Sequence, residues 1–484
     1  MPFILAHDLG TSGNKASLFN DQGALIASHL EGYDVTYPRP GWAEQDADTW
    51  WRAVCQSSRA LVVRSGIAAS DIAAITFSGQ MMGVVAVDAG ARPLRKAIIW
   101  ADQRATAEAA LVSQHCGDDV VYQRTGHRVS PAYSLEKILW LARNEPEIVA
   151  KTRWFLTAKD FVVLKLTDVA ATDYSDASGS NAFDLSTKTW CGDFLSALEI
   201  DSTRLPRPWP STTVVGQVTR EASELTGLAV GTPVVIGGGD GACATIGSGA
   251  TSEGDAYCVL GTSAWIAYTA TQPLIDPLRR VFTFHNLPAN RFMPTGTMQA
   301  AGAARDWLVR AIGEQPDDAV SRVPAGCDGL LFLPYLIGER SPWWNPHARA
   351  AFIGLTMSHG PAEMMRAMME GVALSLRLIL DALRESSPLT VLRLIGGGAQ
   401  NKLWRQVLAD ALNVCIEIPE LLSEATSWGA AVAGGVGIGL YPDWSIAKSH
   451  TRIVEVVEPN PTNAALYDTL RERFTSQYHA VHGV

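Results

Sequence analysis

The sequence predicts two duplicated α/β domains facing each other across an anion-binding cleft. Three observations predict it. Leu9-Gly10-Thr11-Ser12 recurs as Leu260-Gly261-Thr262-Ser263, and Ile236-Gly237-Gly238-Gly239 recurs as Ile395-Gly396-Gly397-Gly398. Each copy follows or ends an apolar, β-prone run, so each half carries a strand and a glycine-rich turn. The chain has 484 residues, more than a single core supports. Apolar strands alternate with segments of helical period in both halves, the α/β pattern. A Gly/Thr/Ser turn leaves backbone N–H groups uncovered and adds hydroxyl donors. Two such turns suit the two sides of a polyphosphate.

Phe3–Ala6 opens as a strand, Gly10–Gly13 turns, Lys15–Phe19 returns, and Ala24–His29 follows the turn Asn20-Asp21-Gln22-Gly23. Asp46 to Arg64 has helical apolar spacing, with Asp46 or Asp48 as N-cap. Ile72–Ser78 reads as a buried strand ending at Gly79. Val84–Asp88 and Ala97–Trp100 read as short strands, Asp102–His115 and Ser134–Arg143 as helices. Val234–Gly239 is a continuous apolar strand of the buried parallel type. In the second half, Tyr257–Gly261 and Ala264–Ala270 form strand, turn and strand, and Ala300–Ile312 a helix. Pro361–Arg384 is a long amphipathic helix with methionines on its inner face. Val391–Gly396 is a buried strand and Asn401–Leu412 a helix. Thr426–Gly437 is a close-packed Gly/Ala helix, and Thr462–Tyr478 a polar closing helix. The boundary is read near residue 247, giving domains 1–247 and 248–484.

The formal net charge is −10 and no Lys/Arg stripe is present, which argues against a nucleic-acid partner. An acidic protein that binds a polyanion needs local donors or a divalent cation. The seven cysteines never form a C-x-x-C pair, which fits a reducing compartment rather than a disulfide or zinc framework. The N-terminus enters a strand without a basic leader, and no apolar run reaches membrane-spanning length, so a cytoplasmic protein is expected.

In chain order, Asp8-Leu9-Gly10-Thr11-Ser12, Ser78-Gly79-Gln80-Met81, Trp100-Ala101-Asp102-Gln103-Arg104, Gly238-Gly239-Asp240, Gly261-Thr262-Ser263, Gly338-Glu339-Arg340-Ser341-Pro342 and Gly396-Gly397-Gly398 resemble the motifs of the FGGY carbohydrate kinases. Within that family the chain is most like the xylulose kinases. The resemblance spans nearly the whole chain. It implies the actin-like, ribonuclease-H-like ATPase duplication, closing over ATP and a sugar, with Mg²⁺ and γ-phosphate transfer to a hydroxyl. It leaves a homodimer open.

Asp240 follows three glycines at the end of a buried strand, where open α/β sheets bind ligands. As a general base it would take the hydroxyl proton; as an ordinary residue it would cap a helix. The resemblance favours the base. Asp8 ends the first strand and, with Asp240, is the expected metal-side carboxylate. Gly10, Thr11, Ser12 and Lys15 form the first ATP loop, and Gly261, Thr262 and Ser263 the second. The first lacks Walker A spacing. Gly397, Gly398, Gln400 and Asn401 are uncharged and suit adenosine, although Asn401 would equally cap a helix.

Gln80, Met81, Met82, Trp100 and Asp102 are the expected sugar contacts. Met82 stands where xylulose kinases typically carry His, and a thioether cannot donate to a hydroxyl. Gly241 replaces an Asn or Gln common beside the aspartate. Gly338–Pro342 is expected to order the cleft floor rather than touch substrate, and His7 and His285 to be core residues. The best expectation is ATP-dependent phosphorylation of D-xylulose to D-xylulose 5-phosphate. Other pentuloses, polyols and sugar acids remain within the fold's range. An actin-like nucleotide switch would use the same phosphate loops but has no need of the Gln80–Gly83 and Trp100–Arg104 pair.

Overall fold

The computed structural model describes residues 1–420 and 424–483. Each half is built on a seven-stranded mixed sheet. The first contains Phe3–Leu9 (β1), Gly13–Asn20 (β2), Leu25–Gly32 (β3), Ile72–Gly79 (β4), Val214–Gln217 (β5), Pro233–Val235 (β6) and Gly238–Gly239 (β7). Its order is β5-β6-β4-β1-β2-β3, with β7 also paired to β4. β1 runs antiparallel to β2 and parallel to β4. The second contains Ala256–Leu260 (β8), Ala264–Tyr268 (β9), Phe282–His285 (β10), Phe292–Met298 (β11), Val391–Ile395 (β12), Cys415–Pro419 (β13) and Ile453–Val457 (β14). Its order is β10-β11-β9-β8-β12-β13-β14. β8 repeats the arrangement of β1, antiparallel to the next strand and parallel to β12.

The two Leu-Gly-Thr-Ser turns therefore occupy equivalent places, between β1 and β2 and between β8 and β9. The other echo does not. Ile395–Gly398 ends β12, whose counterpart is β4, whereas Ile236–Gly239 lies one strand further out, on β6 and β7. The expected continuous strand Val234–Gly239 is also broken. Gly237 takes φ +67°, and a Cβ there would lie 1.9 Å from the Phe77 carbonyl oxygen. Only glycine passes the backbone of β4 that closely.

Ala47–Ser65 (α1) is capped by Asp46, whose side chain accepts from the Asp48 N–H. Asp240–Gly247 (α2) follows β7 directly. Pro361–Arg384 (α3) buries Met365, Met368 and Met369, the expected inner face. Lys402–Leu412 (α4) is capped by Asn401, which accepts from the Trp404 N–H. Ala425–Gly437 (α5) and Ala464–His482 (α6) complete the second half. The expectation of a polar closing helix is corrected: α6 buries Tyr467, Leu470, Phe474 and Tyr478, an apolar stripe at helical spacing.

The helix expected from Asp102 starts at Thr106 instead, because Asp102 is occupied by side-chain bonds. Residues 146 to 233 carry short elements that the sequence analysis leaves unassigned, among them Ala158–Thr167 and Tyr174–Ser178. Such short segments hold too few turns for periodicity to register.

The main cores lie one under each sheet, and a further core joins the halves. Ile4, Ala6 and Ala74 of the first sheet pack with Cys243 and Ile246 of α2 and with Ala430 and Ala433 of α5. The Thr76 hydroxyl donates to the Ala430 carbonyl at 3.2 Å. α5, late in sequence, thus covers the first sheet.

Candidate active site

β1 and β4 end side by side, bringing Asp8 and Ser78 together. The Ser78 hydroxyl donates to Asp8 Oδ1 at 2.9 Å. The turn beyond β1 is braced from outside. Its Gly10 carbonyl accepts from the Tyr33 hydroxyl at 2.7 Å, and its Thr11 carbonyl from Gln45 Nε2 at 2.7 Å. Trp100 Nε1 donates to Thr11 Oγ1 at 2.9 Å, tying the expected sugar wall to the first loop. Lys15 pairs with Glu424 of the second half at 3.4 Å.

The second loop rests on the start of the helix Gly302–Ile312. The Thr262 carbonyl accepts from the N–H groups of Ala301 and Ala303, each at 3.0 Å. Gly396 and Gly398 press on Leu260, which leads into that loop: a Cβ would fall 2.7 Å from its carbonyl oxygen or 2.5 Å from its Cγ. Gly397 faces open space, and Gln400 is exposed. Asn401 caps α4 and also donates to Asp317 Oδ1 at 3.1 Å. Its carbonyl oxygen is therefore occupied by the cap, the bland alternative for this residue.

Between the halves lies a cavity of about 270 Å³. The first half lines it with Thr11, Met81, Met82, Trp100, Asp240 and Gly241. The second supplies Ser263, Trp265, Phe282, Phe284, Met293, Thr295, Thr297 and Arg340. Six sequence-expected residues, Thr11, Met81, Met82, Trp100, Asp240 and Ser263, thus meet around one space. The aromatic wall escaped the sequence analysis. Phe282 and Phe284 alternate on β10, Met293 and Thr295 on β11, and the register pairs Phe282 with Thr295 and Phe284 with Met293. The period-2 spacing was legible, but which face looked into the cleft was not.

Two expected sugar contacts stand outside that lining. Asp102 is fully buried and engaged with Arg104, Oδ1 to Nε at 2.9 Å and Oδ2 to Nη2 at 2.7 Å. It also accepts from the Ala43 N–H at 2.6 Å. Arg104 continues to Glu44 at 2.8 Å and lies 3.6 Å over the Trp42 ring. The expectation that Asp102 touches sugar is corrected here, since its oxygens are occupied away from the cavity. Nor is this a weak surface pair of the kind an i, i+2 Asp–Arg spacing often makes, because both side chains are buried. Asp102→Ala is expected to lose about 3 kcal/mol of stability by leaving the buried guanidinium with Glu44 as its one carboxylate. Sugar KM should stay within about twofold; denaturant melts beside steady-state kinetics check both. Gln80 lies behind the first loop, donating to Gln45 Oε1 at 2.8 Å and to the Gly10 carbonyl at 3.3 Å. It braces the loop from there.

Asp240 opens α2 at the cavity. Its carboxyl is pushed up to about 7, first by burial and then by the charge of Asp8, against the N–H of Gly241, which donates to Oδ1 at 2.8 Å. Burial likewise raises Asp8, opposed by Ser78 and Lys15. Two carboxylates close enough to couple, with only oxygen donors, fit a hard divalent cation such as Mg²⁺. Among the described residues no group of three or more His, Cys, Asp or Glu side chains could by itself hold a metal ion. Phosphate and water would complete such a coordination shell.

Behind Asp240 runs a buried support that the sequence analysis missed. Lys159 Nζ pairs with Asp160 at 2.6 Å, Asp173 at 2.9 Å and Asp176 at 3.2 Å. Asp173 accepts from the Ser175 hydroxyl, and Ser175 Oγ accepts from the Gly239 N–H at 2.9 Å. His7 and His285 are buried, hydrogen-bonded and held neutral by burial, pushed down to about 3 and about 4.

No helix among the described residues is long and apolar enough to cross a membrane. Residues 3–247 match the N-terminal domain model of the FGGY family of carbohydrate kinases, and residues 256–438 its C-terminal domain model. A xylulose kinase of Bacillus subtilis (strain 168) is 33% identical, covering 99% of this chain and 97% of that protein. A gluconokinase of Bacillus licheniformis is 31% identical, covering 99% and 96%. The crystal structure of a ligand-bound xylulose kinase from Lactobacillus acidophilus superposes with a TM-score of 0.94 at 28% identity, covering 99% of this chain and 98% of that one. Both halves are matched in order around a cleft that each half lines, and the chain belongs to the FGGY family of carbohydrate kinases.

Proposed function

We propose that this sugar kinase transfers the γ-phosphoryl group of ATP to a small sugar, with D-xylulose, giving D-xylulose 5-phosphate, as the leading substrate. The supporting observation is Asp240, a carboxyl pushed up to about 7 at the wall of a cavity lined from both halves. A general base works best near the operating pH. Asp240 accepts the proton of the attacking hydroxyl as its oxygen bonds to the γ-phosphorus. The bond from phosphorus to the β–γ bridging oxygen breaks, and ADP leaves. The turns at 10–12 and 261–263 would offer the phosphates N–H and hydroxyl donors from Thr11, Ser12, Thr262 and Ser263, while the Gly10 and Gly261 N–H groups close the turns themselves. Asp8 and Asp240 would hold Mg²⁺, which neutralises phosphate charge when bound. Gly397, Gly398 and Gln400 present an uncharged surface for adenosine. Trp100 and the Phe282–Phe284 wall stack on sugar C–H bonds.

Gluconokinases among the relatives support a second reading, a sugar acid, and Met82 removes the donor usual in xylulose kinases. ADP release with Mg·ATP across ketopentoses, pentitols, glycerol, gluconate and a no-sugar blank decides among them. One compound far above blank names the substrate. None above blank, with ATP turnover coupled to assembly, moves the nucleotide switch ahead.

The pH dependence has a definite sign. Asp240 must be ionised to act, so kcat/KM should rise with pH through about 7. The charge of Asp8 helps hold that value up, so Asp8→Asn should move the limb to lower pH while lowering the plateau. An unmoved limb would remove Asp240 as the titrating base. Stability runs the other way. A folded pKa raised above the unfolded one adds stability below the unfolded value, and this is lost as pH rises through about 7.

A further inference from the structure

Arg340 differs from the arginines that the fold commits to ion pairs. Arg104, Arg366 and Arg405 each pair with a carboxylate. Among the described residues no carboxylate is in ion-pair contact with the Arg340 guanidinium, whose charge is felt by the buried Glu339 carboxyl beside it, and its side chain makes one hydrogen bond, from Nη2 to the Tyr133 hydroxyl oxygen at 3.4 Å. Tyr133 in turn meets His127 Nδ1 at 2.9 Å. Aromatic faces hold the group: Phe282 at 5.0 Å and Trp344 at 5.6 Å. A guanidinium carries five N–H donors and no acceptor. This one is oriented, mostly uncommitted, and lines the cavity that contains Asp240.

Its place within that cavity follows from the neighbours. Tyr133 adjoins Ala132, whose carbonyl accepts from Lys137 Nζ, and the same ammonium donates to the Met82 carbonyl at 2.8 Å. Lys137 is wholly buried, and Met82 is held at φ +63°. Arg340 and Met82 therefore stand at one end, the end of the sugar loop. A thioether donates nothing there, and the flanking Phe282 and Phe284 donate nothing either. The phosphate loops supply donors elsewhere. Besides the Thr295 and Thr297 hydroxyls, which can accept as well as donate, polar recognition at this end falls to a fixed cation that can only donate.

We propose that Arg340 binds the non-reacting end of the sugar and selects a substrate with an acceptor-only oxygen there, a ketose carbonyl or an aldonate carboxylate. The assignment rests on the sugar-kinase reading above and deepens it. A donor-only fork gains most from an oxygen with no proton of its own, and a bidentate carboxylate or a carbonyl satisfies it better than a freely rotating hydroxyl.

The test compares D-xylulose, D-gluconate and xylitol, which lacks both carbonyl and carboxylate, with wild type, Arg340→Gln and Arg340→Lys. Wild type should use D-xylulose or D-gluconate and discriminate against xylitol; which of the two it uses separates carbonyl from carboxylate. In Arg340→Gln, kcat/KM for that sugar should fall about 10- to 100-fold, carried by KM. KM for ATP should stay within about twofold, and residual xylitol turnover should hold. Arg340→Lys keeps the charge and loses the fork, and should recover part of the loss. Unchanged sugar kinetics in Arg340→Gln, an equal loss toward xylitol, or a rise in KM for ATP instead would overturn the assignment. A wild type that prefers xylitol overturns it while leaving the kinase reading intact. A wild type inactive on all three removes the D-xylulose and sugar-acid readings and the assignment with them. Should Arg340→Gln fail to fold, Arg340→Lys carries the same comparison.

Discussion

Asp240→Ala is expected to lose sugar-dependent ADP release by about 10³-fold while nucleotide affinity is kept. Apart from its share in holding Mg²⁺, which Asp8 keeps, the nucleotide-facing parts do not lean on this side chain. The first turn is braced by Tyr33, Gln45 and Trp100, and the second by the N–H groups of Ala301 and Ala303. What disappears is the one carboxyl at the cavity raised to about 7, and with it the acceptor for the hydroxyl proton. Asp240→Asn separates charge from shape. It keeps the side-chain oxygen that accepts from Gly241 but cannot take a proton, so it should be as inactive as the alanine variant. ADP release, paired with fluorescence titration of Mg·ADP, reads both quantities. Near-normal turnover in either variant would remove Asp240 from the mechanism.

Gly429→Ala is expected to cost about 3 kcal/mol of stability. α2 and α5 cross with their backbones touching. A Cβ at Gly429 would sit 1.9 Å from the Cys243 carbonyl oxygen, and one at Gly247 would sit 1.6 Å from that of Ala425. Neither obstacle is a flexible side chain, so the helices must part. Parting disturbs more than the crossing. α5 also packs on β1 and β4, where a Cβ at Gly434 would meet Thr76 at 2.9 Å. α2 carries Asp240 at its first turn. The variant should therefore lose turnover as well as denaturant midpoint. Gly192→Ala is the control: a Cβ there meets nothing within 4 Å, and its midpoint should barely move. Equal midpoints for the two variants would mean that the crossing tolerates separation.

The same crossing marks where sequence reading stops. Gly429, Ala430, Ala431, Ala433 and Gly434 identify a close-packed helix from composition alone, yet nothing in their order names the partner. That partner is a helix nearly two hundred residues earlier, over a sheet of the other half. The repeated phrases show a similar divide. The Leu-Gly-Thr-Ser pair marked equivalent turns because each follows the first strand of its sheet. The Ile-Gly-Gly-Gly pair misled, since glycine is demanded wherever backbones approach closely, and two unrelated strand ends made that demand.

By itself the sequence determined the α/β class, the duplicated turns, most helix limits and the strand ends that carry Asp8 and Asp240, because periodicity and turn chemistry are local. It could not assign burial to individual polar residues. Asp102 read as a sugar contact, whereas its oxygens are taken by Arg104, because Glu44, Trp42 and Trp140 close around the pair from distant positions. Arg340 read as floor and is wall. Whether a charge is paired, and whether a strand face meets a core or a cleft, depends on neighbours that only folding brings within a few ångströms. Electrostatic and dispersion energies fall off over that range, so these assignments belonged to the tertiary structure.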